Sequence, residues 1–82
     1  MAKGSNIVHQ YFRKEFEEAT ILVKVNPIAF NGAEITVLKN GEIEMRELEF
    51  DQAIFDDLKA DGFEPASPLE FNLYLSGLAN RD

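Results

Sequence analysis

Residues 33–46 read AEITVLKNGEIEMR, and the register across their turn decides what kind of sheet this chain can build. Asn40-Gly41 is a hairpin signal, because both residues tolerate positive φ at little cost. A two-residue loop would set Val37 opposite Glu44 and Ile35 opposite Arg46, mixing core and solvent on each face. A three-residue loop, Lys39-Asn40-Gly41 with Gly41 as a bulge glycine, sets Val37 opposite Ile43 and Ile35 opposite Met45. It also brings Glu34 opposite Arg46, a favourable cross-strand pair. The residues select the longer loop.

Outward on the N-terminal side, the run TILVKV from Thr20 to Val25 is mostly β-branched and predicts a preceding strand. Asn31-Gly32 is a second hairpin signal between it and the central strand. Pro27 has no N–H, so the first strand is expected to bulge there or to lie at the sheet edge. A bulge would let Val25 share a face with Ile28 and Phe30. On the C-terminal side, Ile43 and Met45 slip to Leu48 and Phe50 around Arg46 and Glu47, which predicts another bulge. The expectation is a three-stranded antiparallel meander with its second strand in the middle.

Helices are predicted on both flanks. Val8, Phe12, Phe16 and Ala19 recur at four-, four- and three-residue steps, widened by Ile7 and Tyr11, with Ser5 or Asn6 as a cap. That pattern predicts an amphipathic first helix in which Arg13 pairs with Glu17. A second helix is bounded by Asp51 as N-cap, with Phe50 stapled onto Phe55, Ile54 and Leu58 facing the core, and Gly62-Phe63 as a Schellman ending. Ser67-Pro68-Leu69-Glu70 is a capping box with proline at the first helical position, and predicts a third helix. Alternation of Leu69, Phe71, Leu73 and Leu75 with polar neighbours is the competing strand reading. The expected architecture is α+β in the order α-β-β-β-α-α. It forms a single domain over residues 5–80, with helices packed on one face of the meander and residues 1–4 as a disordered tail.

Composition narrows the chemistry. The 82 residues carry a formal charge of −7, with 45% hydrophobic and 28% charged residues and no cysteine. A chain of this length has a stability of about 4–12 kcal/mol by the per-residue rule. Absence of cysteine excludes disulfides, thiol nucleophiles and thiolate metal ligands. One histidine excludes a metal site that needs two imidazoles from one chain. The acidic balance argues against direct contact with nucleic acid or an anionic membrane. No signal peptide or membrane anchor is legible in the opening residues, so a cytoplasmic location is expected.

Candidate groups for chemistry are few. His9 lies at the border of the first apolar stripe and reads as a boundary residue. Glu15 falls inside that stripe, and is the one carboxylate whose position suggests acid/base work or small-ligand binding. The structural alternative bends it to the rim to meet Lys24 or Arg46. Asp56, Asp57, Asp61 and Glu64 lack the alternating ligand pattern of a calcium loop and read as a solvated helix face. None of Ser5, Ser67 and Ser76 sits in a nucleophile elbow, and no glycine-rich phosphate loop occurs. No catalytic residue, cofactor or metal is assigned.

Two surfaces remain. Glu34, Glu42 and Glu44 are expected on the outer face of the meander with Thr36 and Arg46, and Glu47 and Glu49 beyond the bulge. Such a stripe is edge protection, or alternatively the working face of a nucleic-acid mimic that inhibits a basic protein. As a helix, the final segment has two apolar arcs: Leu69 with Leu73, and Phe71 with Tyr74, Leu75 and Leu78. The second arc, with its aromatic anchors, is the expected protein-binding surface. The sequence therefore points to a non-enzymatic protein-interaction module whose partner is another protein or a second copy.

Overall fold

In the computed structural model, which describes residues 8–79, the first element is a β-strand and not the helix expected from Val8, Phe12 and Phe16. Strand β1 (Gln10–Glu15) pairs antiparallel with β2 (Ala19–Val25) over its full length, from Gln10 opposite Val25 to Glu15 opposite Thr20. A helix would hold Tyr11 and Phe12 about 100° apart on one cylinder. A strand sends them to opposite faces. Tyr11 meets Phe71 edge-on, with ring centroids 5.5 Å apart, while Phe12 packs near Phe55 at 6.0 Å. Two cores thus compete successfully with one helical stripe. The expected caps Ser5 and Asn6, and the expected tail 1–4, lie outside the described residues.

Strand β3 (Asn31–Leu38) follows β2, and β4 (Ile43–Glu49) follows β3. Helix α1 (Ile54–Ala60), the short β5 (Glu64–Pro65) and helix α2 (Pro68–Ala79) complete the described residues. The sheet has five antiparallel strands in the order β4-β3-β2-β1-β5. The expected meander survives as its β2-β3-β4 portion, extended by two strands on the side of β2. This is a small α+β domain whose helices come after the four long strands.

The β3–β4 hairpin has the register its residues select. Val37 lies opposite Ile43, Ile35 opposite Met45 and Glu34 opposite Arg46. Gly41 adopts φ 94° and donates its N–H to Leu38 O, while Leu38 N–H bonds Glu42 O at 2.8 Å. The bulge expected at Arg46-Glu47 is absent: pairing runs unbroken from Val37–Ile43 to Asn31–Glu49. Leu48 and Phe50 therefore face the side opposite Ile43 and Met45, and both sides of the sheet have a core to receive them.

The β2–β3 turn lies upstream of Asn31-Gly32. Asn26 organises it, its side-chain oxygen accepting the N–H groups of Ile28 and Ala29 at 2.9 and 3.0 Å. Phe30, not a glycine, takes the left-handed conformation at φ 57°. Pro27 sits in this loop, so β2 needs neither a bulge nor an edge position to accommodate it. Gly32 is instead a packing glycine in β3. A Cβ there would lie 1.7 Å from the Lys24 carbonyl oxygen and 3.2 Å from the Phe50 ring.

The helices cover opposite faces, not one. Leu22, Ile35 and Phe71 are buried together, with Tyr11, Ala33, Val37, Ile43, Tyr74 and Leu75 packed around them, so α2 closes one face. Val23, Val25 and Leu58 form the other cluster with Phe12, Ile21, Phe50, Ile54, Phe55 and Phe63, so α1 closes the second. This two-sided burial explains why TILVKV is nearly continuously apolar: β2 is central and has no water-facing side.

The helix ends follow their residues except at the start of α1, where Ala53 and not the expected Asp51 holds the N-cap position and no side chain caps it. The Asp51 carboxylate accepts the Ala53 N–H at 2.9 Å, in the turn that leads into α1. At its end, Phe63 N–H bonds Leu58 O and Gly62 N–H bonds Lys59 O, the paired bonds of a Schellman ending. Ser67 Oγ accepts the Glu70 N–H at 3.1 Å and starts α2, so the helix reading of the last segment holds. Only half of the capping box forms, because the Glu70 carboxylate turns to Arg13.

Candidate functional site

Helix α2 positions the most exposed apolar side chains of the ordered elements. Proline at its first turn and the Ser67 cap fix its start, and Phe71 fixes its rotation. With Phe71 only 1% exposed against Leu22 and Ile35, helical spacing turns Leu69 and Leu73 outward on the far side. They are 68% and 64% exposed and one turn apart. Of the two apolar arcs, the one expected to bind a partner is turned toward the core and the other is turned to solvent. Phe71 is a core residue, Tyr74 and Leu75 are half-buried against the same core, and the side chain of Leu78 lies outside the described residues.

The selection between arcs has a simple cause. A buried phenylalanine removes more apolar surface from water than a leucine, and edge-on contact with Tyr11 adds to it. Sequence reading named both arcs but ranked aromatics as anchors for a partner. The sheet claimed them first.

Arg13 is a joint that sequence reading missed. It pairs with no residue four positions on, since β1 is not helical. Its Nε lies 3.2 Å from Glu70 Oε2 and its Nη2 lies 3.6 Å from Glu15 Oε2. Glu15 is thus exposed at a strand end with Arg13 as its ion-pair partner, in place of the expected Lys24 or Arg46. The helical stripe whose interior position suggested acid/base work for it does not form, because Glu15 closes a strand. His9 is half-buried at the residue just before β1.

The acidic residues divide between surfaces. Register places Glu34, Thr36, Glu44 and Arg46 on the α1 side of the sheet, and Glu47 and Glu49 on the α2 side. Glu42 precedes β4, in the turn, with its N–H on Asn40 Oδ1. The Arg46 Nη2 donates to Glu34 Oε1 at 2.8 Å, so one member of the expected stripe is already neutralised. An open depression of about 470 Å³ lies beside Asn31, Gly32, Glu47, Leu48 and Glu49. Asp56, Asp57, Asp61 and Glu64 are all exposed, and the Asp61 carbonyl accepts a hydrogen bond from Lys14 Nζ. Among the described residues no three or more histidine, aspartate or glutamate side chains converge as a metal site. No described helix is long and apolar enough to cross a membrane.

No protein-family model matches the chain, and neither a curated protein nor a solved structure matches it.

Proposed function

We propose that this chain works by binding another protein through the outward face of α2, with Leu69 and Leu73 as the apolar contacts. One observation carries the reading: two leucines a turn apart stand about two-thirds exposed on a helix whose opposite side is locked into the core by Phe71. A fixed helix presenting leucines at this spacing loses little conformational entropy on docking, which favours its use as a recognition surface. The net charge of −7 favours a partner whose apolar patch is rimmed by lysine and arginine. Support for this reading over mimicry of nucleic acid comes from the acidic residues of β4, which face both sides of the sheet instead of forming one stripe.

The test compares the parent chain with the double variant Leu69→Ser/Leu73→Ser as bait in host lysate. Exposed positions tolerate the change, so circular dichroism of the variant should match the parent. Partner retained by the parent and lost by the variant supports the assignment. Equal retention by both removes it.

A further inference from the structure

We propose that β4 is a self-pairing edge, through which two copies of the chain join antiparallel about a two-fold axis centred on Met45, merging their sheets. This surface is separate from the outward face of α2 and stands independently of it. The two edges of the sheet are unlike. The β5 edge is two residues long and one of them is Pro65, which has no N–H to offer. The β4 edge is seven residues long, from Ile43 to Glu49, and among the described residues no further strand flanks it.

Which backbone groups are free follows from the bonds that bracket β4. Leu38 N–H bonds Glu42 O, and Phe50 N–H bonds Phe30 O. Both fall on even-numbered residues of this run, so alternation turns Glu44, Arg46 and Leu48 toward β3. The N–H and C=O groups of Ile43, Met45, Glu47 and Glu49 then point away from the sheet, as a template for another strand.

Glutamates at 42, 44, 47 and 49 read as protection of that edge, and for nearly every symmetric register they are. Centring the axis on Ile43 sets Glu42 opposite Glu44 of the second copy. Centres at Glu44, Glu47 and Glu49 set each glutamate against itself, Leu48 sets Glu47 against Glu49, and Arg46 sets arginine against arginine. Like charges directly opposite destabilise a pairing. Met45 is the exception. There Glu44 faces Arg46 of the second copy, twice by symmetry, and Ile43 faces Glu47. Met45 faces itself, and it is 38% exposed in the single chain. Arg46 already holds Glu34 at 2.8 Å, so the symmetric pairing extends an existing row of alternating charge across the axis. The charges that forbid the other registers leave this one.

Sedimentation of the full chain tests the pairing, with a dimer expected to build up with concentration through the micromolar range. Met45→Pro removes an N–H that makes no bond within the chain, so it should keep the circular dichroism of the parent and sediment as a monomer. Glu44→Arg, which sets arginine against arginine, should weaken self-association by about tenfold. Register is read by single cysteines in this cysteine-free chain. Met45→Cys places two thiols across a hydrogen-bonded pair, with Cα atoms about 5.5 Å apart, and should form an interchain disulfide under mild oxidation. Glu47→Cys lies four residues from its counterpart, roughly 13 Å, and should not. A parent chain that stays monomeric at millimolar concentration overturns the proposal. So does a dimer that persists in Met45→Pro or cross-links equally well through Glu47→Cys. A monomer that instead takes up a lysine-rich extended peptide along β4 would also overturn it, giving that edge to a different protein.

Discussion

The Arg13 Nε stands 3.2 Å from Glu70 Oε2, and this contact ties the middle of β1 to the first turn of α2. Both side chains are about 30% exposed, so the pair is neither fully solvated nor fully desolvated. The Nε itself is buried and makes no aligned hydrogen bond, which leaves a Coulombic contact without a directional one.

Removing Glu70 leaves that buried nitrogen without its nearest carboxylate. Glu70→Ala should cost about 1 kcal/mol, and Arg13→Ala somewhat more because the arginine stem also packs on the sheet. A double-mutant cycle by urea unfolding should return a coupling of about 0.5–1 kcal/mol. Additive single effects would show that the two groups merely lie near each other.

Phe30 bears a backbone conformation that side chains other than glycine rarely adopt, with φ 57°. Its ring lies 6.4 Å from that of Phe55, so the strained residue also helps to seat α1. Phe30→Ala loses the ring and keeps the strain, whereas Phe30→Gly loses the ring and relieves it. The glycine variant should therefore be the more stable of the two by about 1 kcal/mol. Thermal melts that rank alanine above glycine would contradict this.

Gly32 faces a different constraint, since the obstacle is a backbone carbonyl and not a flexible side chain. A methyl group 1.7 Å from the Lys24 oxygen cannot be accommodated without parting β2 from β3. Gly32→Ala should cost more than the ~1–3 kcal/mol typical of overpacking, a large share of the stability of so short a chain. Loss of the cooperative unfolding transition is the expected result. A melt within a few degrees of the parent would mean that the strands can shift to make room.

Some local signals in this chain are legible from a few neighbouring residues, though Asp51 does not cap α1 and Asn31-Gly32 does not form the β2–β3 turn. The three-residue turn at Lys39-Asn40-Gly41, the Gly62-Phe63 ending of α1 and the Ser67 cap of α2 all follow from backbone φ preference and nearby hydrogen-bond partners. The pairing of Glu34 with Arg46 came with the turn, because register is inherited from loop length.

Longer-range choices were invisible to the same reasoning. Spacing of Phe12 and Phe16 suits a helix, and only the presence of two cores, one beyond each face of β2, makes a strand with Tyr11 and Phe12 on opposite sides the better burial. The same two-sided arrangement removes the bulge expected at Arg46-Glu47 and parts the acidic residues of β4 between faces. It also draws Phe71 inward and leaves Leu69 and Leu73 in water. Sequence by itself settled the Lys39-Asn40-Gly41 turn, the Gly62-Phe63 ending, the Ser67 cap and the charge, since these depend on contacts within about one turn of chain. Tertiary structure alone decided which apolar side chains are surplus, because burial is shared across the whole molecule and a side chain is exposed only after larger ones have filled the space.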